Sequence, residues 1–249
     1  MQAFPPPYCD AQSVDSTLRA YGYAVLSPAT VAQWAQCDGE LLPQLADSWN
    51  GMPDDAYLKD GGRYRKRRHS CYVVQSGAVH TVAHRAHWQP VQYNALHGGM
   101  QRWFEPVLPA TNDNPAWTQL LLALGRTSNA LFDTGAEEAW YTEAHQFRID
   151  TTDGIGRPTP EGAHRDGVDL VAVFLVGRTN IKGGETRVFD ATGPQGLRFT
   201  LTEPWSLMLL DDARMIHEST PIQPLDESGG HRDTLVVTLR RRAFQGDDA

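Results

Sequence analysis

From residue 144 to residue 241 the chain is a succession of short apolar segments, each cut off by Gly, Pro or Asp. "AHQFRID" (144–150), "DLVAVFLVG" (169–177), "TRVFD" (186–190), "LRFTL" (197–201), "WSLMLLDD" (205–212) and "DTLVVTLRR" (233–241) read as strands. The connections between most of them are too short for the helical crossovers of an alternating βαβ domain, so a sandwich or jelly roll is expected. Upstream, "SVDSTLRAYG" (13–22) predicts a short helix and "YAVLS" (23–27) a strand. A second helical segment over 27–49 is interrupted near Asp38-Gly39 and Pro43. After a polar connection at 50–62, "CYVVQSGAVHTVAH" from 71 has β-like composition with a turn at "QSG", and the leucine spacing in 114–135 predicts a central helix with one buried face. The simplest organisation is one domain, 1–249. Its residues 1–62 form an N-terminal helical segment and connection, and 63–249 a β-rich catalytic region containing the central helix. The fold class is mainly β with N-terminal helices.

Charge and cysteine content narrow the function. A formal net charge of −8 argues against a general phosphate-binding surface. The basic run "RYRKRRH" (63–69) is instead expected as a solvated loop whose arginines face a small anionic substrate or brace nearby acids. Nucleic acid is therefore not an expected partner. Cys9, Cys37 and Cys71 are widely spaced and include no CxxC pair, which disfavours structural zinc or a disulfide framework. The first twenty residues lack the pattern of a secretion signal, and no apolar run reaches membrane-spanning length. A soluble cytoplasmic protein with no membrane partner is expected, and no feature of the sequence bears on oligomeric state.

In "EGAHRDGVDL" (161–170), His164 and Asp166 share one side of an extended strand, because side chains alternate with period two. His217, in "DDARMIHESTPI", is distant in sequence but within reach of a neighbouring strand. Two neutral imidazoles and one carboxylate are the facial set suited to non-haem Fe(II) with open coordination positions. Zinc accepts the same donors, but neither HExxH nor a clear general-base arrangement is present. Read from these residues alone, metal ligation and an ordinary structural role both remain open. "GGET" (183–186) lacks the spacing of a phosphate loop and is expected to be a tight turn.

The sequence resembles the bacterial 2-oxoglutarate- and Fe(II)-dependent dioxygenases, in particular the free L-amino-acid hydroxylases related to isoleucine dioxygenase. The resemblance rests on "HRDGVD" (164–169), "RTNIKGGETRVFD" (178–190), "LLDDARMIHESTPI" (209–222) and "HRDTLVVTLRR" (231–241). "RYRKRRHSCY" (63–72), "YNALHGGMQRWFEP" (93–106) and "WYTEAHQFRI" (140–149) support it. It implies a double-stranded β-helix, a distorted jelly roll, with Fe(II) held by His164, Asp166 and His217, and with 2-oxoglutarate and O2 as cosubstrates. Arg232 is the candidate anchor for the far carboxylate of 2-oxoglutarate, since guanidinium makes paired charge-assisted contacts. Arg232, Thr234, Val236 and Thr238 share strand parity, so Thr234 can add a hydroxyl. Asn180 is a candidate for positioning the oxoacid, and Arg178 the runner-up anchor.

The implied activity is hydroxylation or sulfoxidation of a small substrate, most of all a free aliphatic L-amino acid. Tyr93, Asn94, Arg102 and either His145 or Arg148, depending on strand register, are the candidate substrate residues. His69, His84, His87 and His97 are expected to serve core hydrogen bonding or to be exposed. Two competing readings are a noncatalytic, stress-associated small-ligand-binding protein, and an oxygenase acting on a peptide or nucleic acid.

Overall fold

The computed structural model describes residues 4–247. Helix α1 (Val14–Tyr21) stops at Gly22, which takes a left-handed φ of 77° and returns its N–H to the Leu18 carbonyl. Glycine is favoured there because it bears no Cβ to strain. Strand β1 (Tyr23–Leu26) follows directly. Helix α2 (Pro28–Ala35) starts on Ser27, whose hydroxyl accepts the Thr30 N–H, with Pro28 at a position whose N–H would be unused anyway. The helical stretch is broken at Asp38-Gly39 as predicted, but Pro43 lies inside a short helix and does not interrupt it. That helix, α3 (Leu42–Leu45), carries Pro43 in its first turn, where its missing N–H costs nothing, between 3-10 turns at Gly39–Leu41 and Ala46–Trp49.

Next come β2 (Arg65–Gln75), β3 (Ala78–Thr81), α4 (Pro109–Asn112), α5 (Pro115–Phe132) and β4 (Trp140–Asp150). The remainder is strand: β5 (Leu170–Thr179), β6 (Ile181–Gly183), β7 (Thr186–Asp190), β8 (Gly196–Phe199), β9 (Leu207–Asp211), β10 (Met215–Ser219), β11 (Ile222–Pro224) and β12 (His231–Arg241). The major sheet has seven strands in the order β1-β9-β5-β12-β4-β2-β3. Beside it lie a three-stranded sheet, β10-β7-β8, and the two-stranded pair β11-β6. The core is mainly β, with helices contributed by the N-terminal region and α5.

Alternation along the major sheet divides its two faces. Leu170, Ala172, Phe174 and Val176 of β5, with Leu207 and Leu209 of β9 and Leu235, Val237 and Leu239 of β12, pack with the helical residues Leu18, Leu42, Trp117 and Leu124. The intervening Val171, Val173 and Leu175, with Met208 and Leu210, pack against Val188, Phe199 and Met215 around the smaller sheet. This explains why "LVAVFLV" is apolar at every position: both faces of β5 are covered. On β12, β4 and β2 the second face is polar and looks into a cavity. No described helix is long and apolar enough to cross a membrane.

The basic run corrects an expectation. It is not a solvated loop: Arg65 to His69 form the first half of strand β2, which pairs with β4 over Arg65 to Val74. Arg65, Arg67, Arg68 and His69 are buried. Only Arg63 and Lys66 reach solvent, and they pair with Asp153 and Asp54. The expected turn at "GGET" is present, with Gly183 at φ 84° and Gly184 at φ 68°. A Cβ on Gly183 would lie 2.2 Å from the Pro221 carbonyl oxygen. Gly183→Ala is therefore expected to lower the urea midpoint by more than about 1 kcal/mol of stability, with an unchanged m value.

Candidate active site

His164 and His217 face each other as an antiparallel backbone pair. The His164 N–H donates to the His217 carbonyl at 3.0 Å, and the His217 N–H donates back at 2.9 Å. This exchange sets the rings side by side, with centroids 4.6 Å apart. Asp166 joins them through a tight loop: its N–H and those of Gly167 and Val168 donate to the Asp212 carboxylate at 2.9, 2.7 and 3.1 Å. His164 Nδ1–H donates to the Gly162 carbonyl at 2.9 Å, which leaves Nε2 with a free lone pair. That Nε2 lies 3.9 Å from Asp166 Oδ1, and His217 Nε2 lies 3.8 Å from Asp166 Oδ2.

Burial, then the neighbouring His164, hold the His217 pKa well below the ordinary imidazole range, which favours the neutral ligating form. Burial also depresses His164, but Asp166 and Glu161 more than offset it and raise its pKa. Burial and the nearby Asp166 raise the Asp212 carboxyl to about 6.

The cavity beside these residues is walled by alternating side chains from three strands. β12 presents Arg232, Thr234, Val236 and Thr238; β4 presents Glu143, His145, Phe147 and Ile149; β2 presents Arg65 and Arg67. The parity expected for the last strand thus holds, and the register of β4 turns His145 rather than Arg148 inward. An extra residue in β5 opposite Asp233/Thr234 brings Arg178 level with Arg232. Arg232 is buried, and its pKa is lowered to about 10 by burial and by Arg178.

A second group lies deeper in the same cavity. Glu143 Oε2 accepts from His69 Nε2 and His87 Nδ1, both at 2.7 Å. Arg67 Nη2 donates to His145 Nδ1 at 2.9 Å, so the proton of His145 must reside on Nε2. These four residues and the His164/Asp166/His217 set are both close enough to hold an ion, but their spacings differ in kind. Separations of 3.8–3.9 Å suit donors around a common cation, whereas 2.7 Å is the length of a direct hydrogen bond. The guanidinium against His145 also opposes a cation. The deeper group is a hydrogen-bonded cluster, although His145 Nε2 stands 3.9 Å from Glu143. No direct hydrogen bond joins the side chains of His164, Asp166 and His217, which leaves that set the room for a cation.

Burial alone would raise the Glu143 carboxyl, but His87 and His69 outweigh it and hold it well below the usual carboxylate range. Burial pushes His87 down to about 3 against the pull of Glu143. Burial, then Arg67, sets His145 well below its ordinary value.

Asn94, Arg102, His145, Arg232 and Thr234 therefore converge on the cavity with His164, Asp166 and His217. Tyr93, Arg148 and Asn180 do not. Tyr93 packs where a Cβ on Gly167 would lie, 2.3 Å from its ring, and lines an outer hollow beside Arg165. Arg148 is held on the opposite face by Asp233 at 2.7 Å. The Asn180 amide donates to Asp226, Ser228 and the Gly229 carbonyl. Glu143, Glu161 and Gln89 line the cavity without having been singled out from sequence. For Glu143 the signal was present, since it shares strand parity with His145. Gln89 accepts from Arg102 Nη2 at 3.0 Å and Asn94 Nδ2 at 3.1 Å, and donates to Asp166 Oδ1 at 3.3 Å.

The sequence model of the 2OG-Fe dioxygenase family matches residues 46–238. A solved structure of a BsmA homolog from Methylobium petroleophilum PM1 is 50% identical, covers 99% of this chain and 99% of its own, and superposes with a TM-score of 0.91. IDO from Bacillus thuringiensis shares the fold at 17% identity, covering 94% of this chain and all of its own, with a TM-score of 0.76. The Fe(II)/α-ketoglutarate-dependent dioxygenase TqaL does so at 20% identity over 95% of this chain and 89% of its own, with a TM-score of 0.71. Among curated proteins, none matches the chain.

The buried imidazoles fix the sign of a pH effect. His69, His87 and His145 have folded pKa values below their unfolded ones. Below the ordinary imidazole range the unfolded chain therefore binds more protons, and stability falls. The melting temperature is expected to decline steadily from pH 7 to pH 5, each such imidazole costing up to about 1.4 kcal/mol per pH unit. His164, whose pKa is raised, works in the opposite direction, and His217, whose pKa is lowered, adds to the loss. Thermal melts across this range should show a shallower slope for His87→Gln.

Proposed function

Because the chain belongs to the 2OG-Fe dioxygenase family, we propose that His164, Asp166 and His217 hold its Fe(II), that Arg232 anchors 2-oxoglutarate, and that the substrate is a free aliphatic L-amino acid. The enzyme is an Fe(II)- and 2-oxoglutarate-dependent dioxygenase active on a small substrate. The carrying observation is the placement of two imidazoles and one carboxylate at metal-sized spacing in the cavity that also receives Arg232. In this reading the sheets facing each other across that cavity are the two halves of a distorted jelly roll within one domain.

When bound, iron and 2-oxoglutarate supply the oxidation: one atom of O2 goes to succinate as the oxoacid loses CO2, and the other to a hydroxyl or sulfoxide of the substrate. The chain's own residues bind and orient. Gly162 fixes the His164 tautomer, and Asp212 and Gln89 hold the Asp166 loop and carboxylate. Such outer partners commonly govern metal affinity about 10- to 100-fold.

Arg232 and Arg178 stand opposite each other on paired strands. Two cations so placed repel unless an anion is shared, which supports an oxoacid carboxylate at this end. Thr234 adds a hydroxyl beside it. Val168, Val173, Met208 and Val236 supply apolar lining, which supports an aliphatic side chain. Asn180, tied to the 226–229 turn, has no part in this arrangement.

Anaerobic titration should give one Fe(II) per chain, and His164→Ala, Asp166→Ala and His217→Ala should each sharply weaken it. Iron binding and turnover that persist in all three would reject the ligand set. Arg232→Met keeps much of the stem packing but removes the charge. It should lower 2-oxoglutarate affinity about tenfold or more while changing iron affinity less, and Lys should restore only part. A screen of free amino acids should find one that accelerates succinate formation and gains one oxygen. Saturable binding without oxidation would favour a noncatalytic binding protein instead.

A further inference from the structure

Besides Arg232, the cavity lining contains two guanidiniums with no carboxylate of their own. Arg67 lies between two rings, its guanidinium carbon 4.1 Å from the Phe104 centroid and 4.6 Å from that of Phe147. One Nη2–H goes to His145 and buried Nε has no partner. Arg102 is 1% exposed. Its Nη2 donates to Gln89, and its Nε also has no partner. The acids nearby are committed elsewhere: Asp55 pairs with Arg65 at 2.7 Å, and Glu143 is taken by His69 and His87. Buried cations held this rigidly, facing a cavity and unpaired, are expensive unless an anion joins them.

Beside His164 the imbalance reverses. Glu161 Oε2 is buried without a partner, and Oε1 lies 3.6 Å from His164 Nε2. We propose that Arg67 and Arg102 seat the substrate's α-carboxylate and that Glu161 takes its ammonium group. The cavity then selects a free zwitterionic amino acid over N-acylated or carboxyl-blocked relatives. This rests on the amino-acid reading above.

Charge balance favours it independently. Asp55 neutralises Arg65, and Asp212 beside Asp166 offsets Arg178 beside Arg232. The lining arginines Arg67, Arg102 and Arg232 then equal in number, without being paired to, the lining carboxylates Glu143, Glu161 and Asp166. Iron(II) and the 2-oxoglutarate dianion also cancel. A zwitterion leaves the buried volume neutral, whereas an N-acyl amino acid brings in one uncompensated negative charge and an amino amide one positive charge. Uncompensated charge is what a cavity of this kind excludes.

The test is calorimetry on anaerobic, Fe(II)- and 2-oxoglutarate-loaded protein, with L-leucine, L-isoleucine, L-valine and L-methionine as probes. The tightest of these is then compared with its amide and its N-acetyl derivative. On the wild-type protein each blocked form should bind about 30-fold more weakly or worse. The preference for acid over amide should collapse in Arg67→Met and Arg102→Met, and that for free over N-acetylated amine in Glu161→Gln. Wild-type protein that binds acid and amide equally would overturn the carboxylate seat without any variant having to fold. So would a folded Arg102→Met with its preference intact. A Glu161→Gln protein that loses iron would make Glu161 a metal ligand and overturn its ammonium role. If none of the four amino acids binds, the amino-acid reading fails and this proposal falls with it. If they bind but the preferences do not move with these residues, the clamp alone is wrong.

Discussion

Strand β12 is hydrogen-bonded to β4 on one side and β5 on the other along nearly its whole length. A strand with both edges occupied has no freedom of register, and a one-residue slip would exchange its two faces. Here the exchange would be ruinous. Leu235, Val237 and Leu239 would face a polar cavity, and Arg232, Thr234 and Thr238 would enter an apolar layer backed by Trp117 and Leu124. The apolar half of the alternation thus holds the polar half in place. The position of Arg232 is a by-product of burying three aliphatic side chains on the other side.

The same logic explains how so many charges tolerate burial. An isolated guanidinium in a protein interior is strongly disfavoured, and the site compensates locally. Asp55 neutralises Arg65, aromatic faces and an imidazole engage Arg67, and Glu143 keeps two neutral histidines aligned. Arg67, Arg102, Arg232 and Glu161, which have no opposite protein charge paired to them, all line the cavity. Structural charges and binding charges are separated by whether a partner was built for them.

Much of this was legible in the sequence where a local rule applies. Period two put Arg232 and Thr234 on one face, and glycine pairs marked the turn at 183–184, whereas Asp166 reaches His164 through a loop tied to Asp212 rather than along a strand. The same rule could not say which face of "HQFRI" looks inward, because His145 and Arg148 lie on opposite sides and only pairing with β2 and β12 chooses between them. Nor could it find the deeper cluster. His69 meets His145 through the register of β2 on β4, and His87 arrives through a bridge to Arg102 that folds the 84–105 segment over the cavity. Both are long-range contacts with no periodic trace. The buried arginines misled for a related reason: a run of basic residues reads as solvated unless a strand carries alternate members into a polar interior.

The arrangement also links the two ends of the chemistry physically. Arg102, proposed to hold substrate, donates to Gln89, and Gln89 donates to the Asp166 carboxylate. An anion arriving on Arg102 competes for the donors that orient Gln89, and the Gln89 amide sets which lone pair Asp166 can offer a metal. Asn94 braces the same oxygen of Gln89, and its own carbonyl accepts the His97 N–H. The segment that folds over the cavity is therefore bonded to the Asp166 carboxylate, proposed to hold iron, through one amide. Under the proposed roles, the substrate-binding Arg102 and the metal-binding Asp166 are joined through Gln89, a residue that needs no charge of its own to connect them.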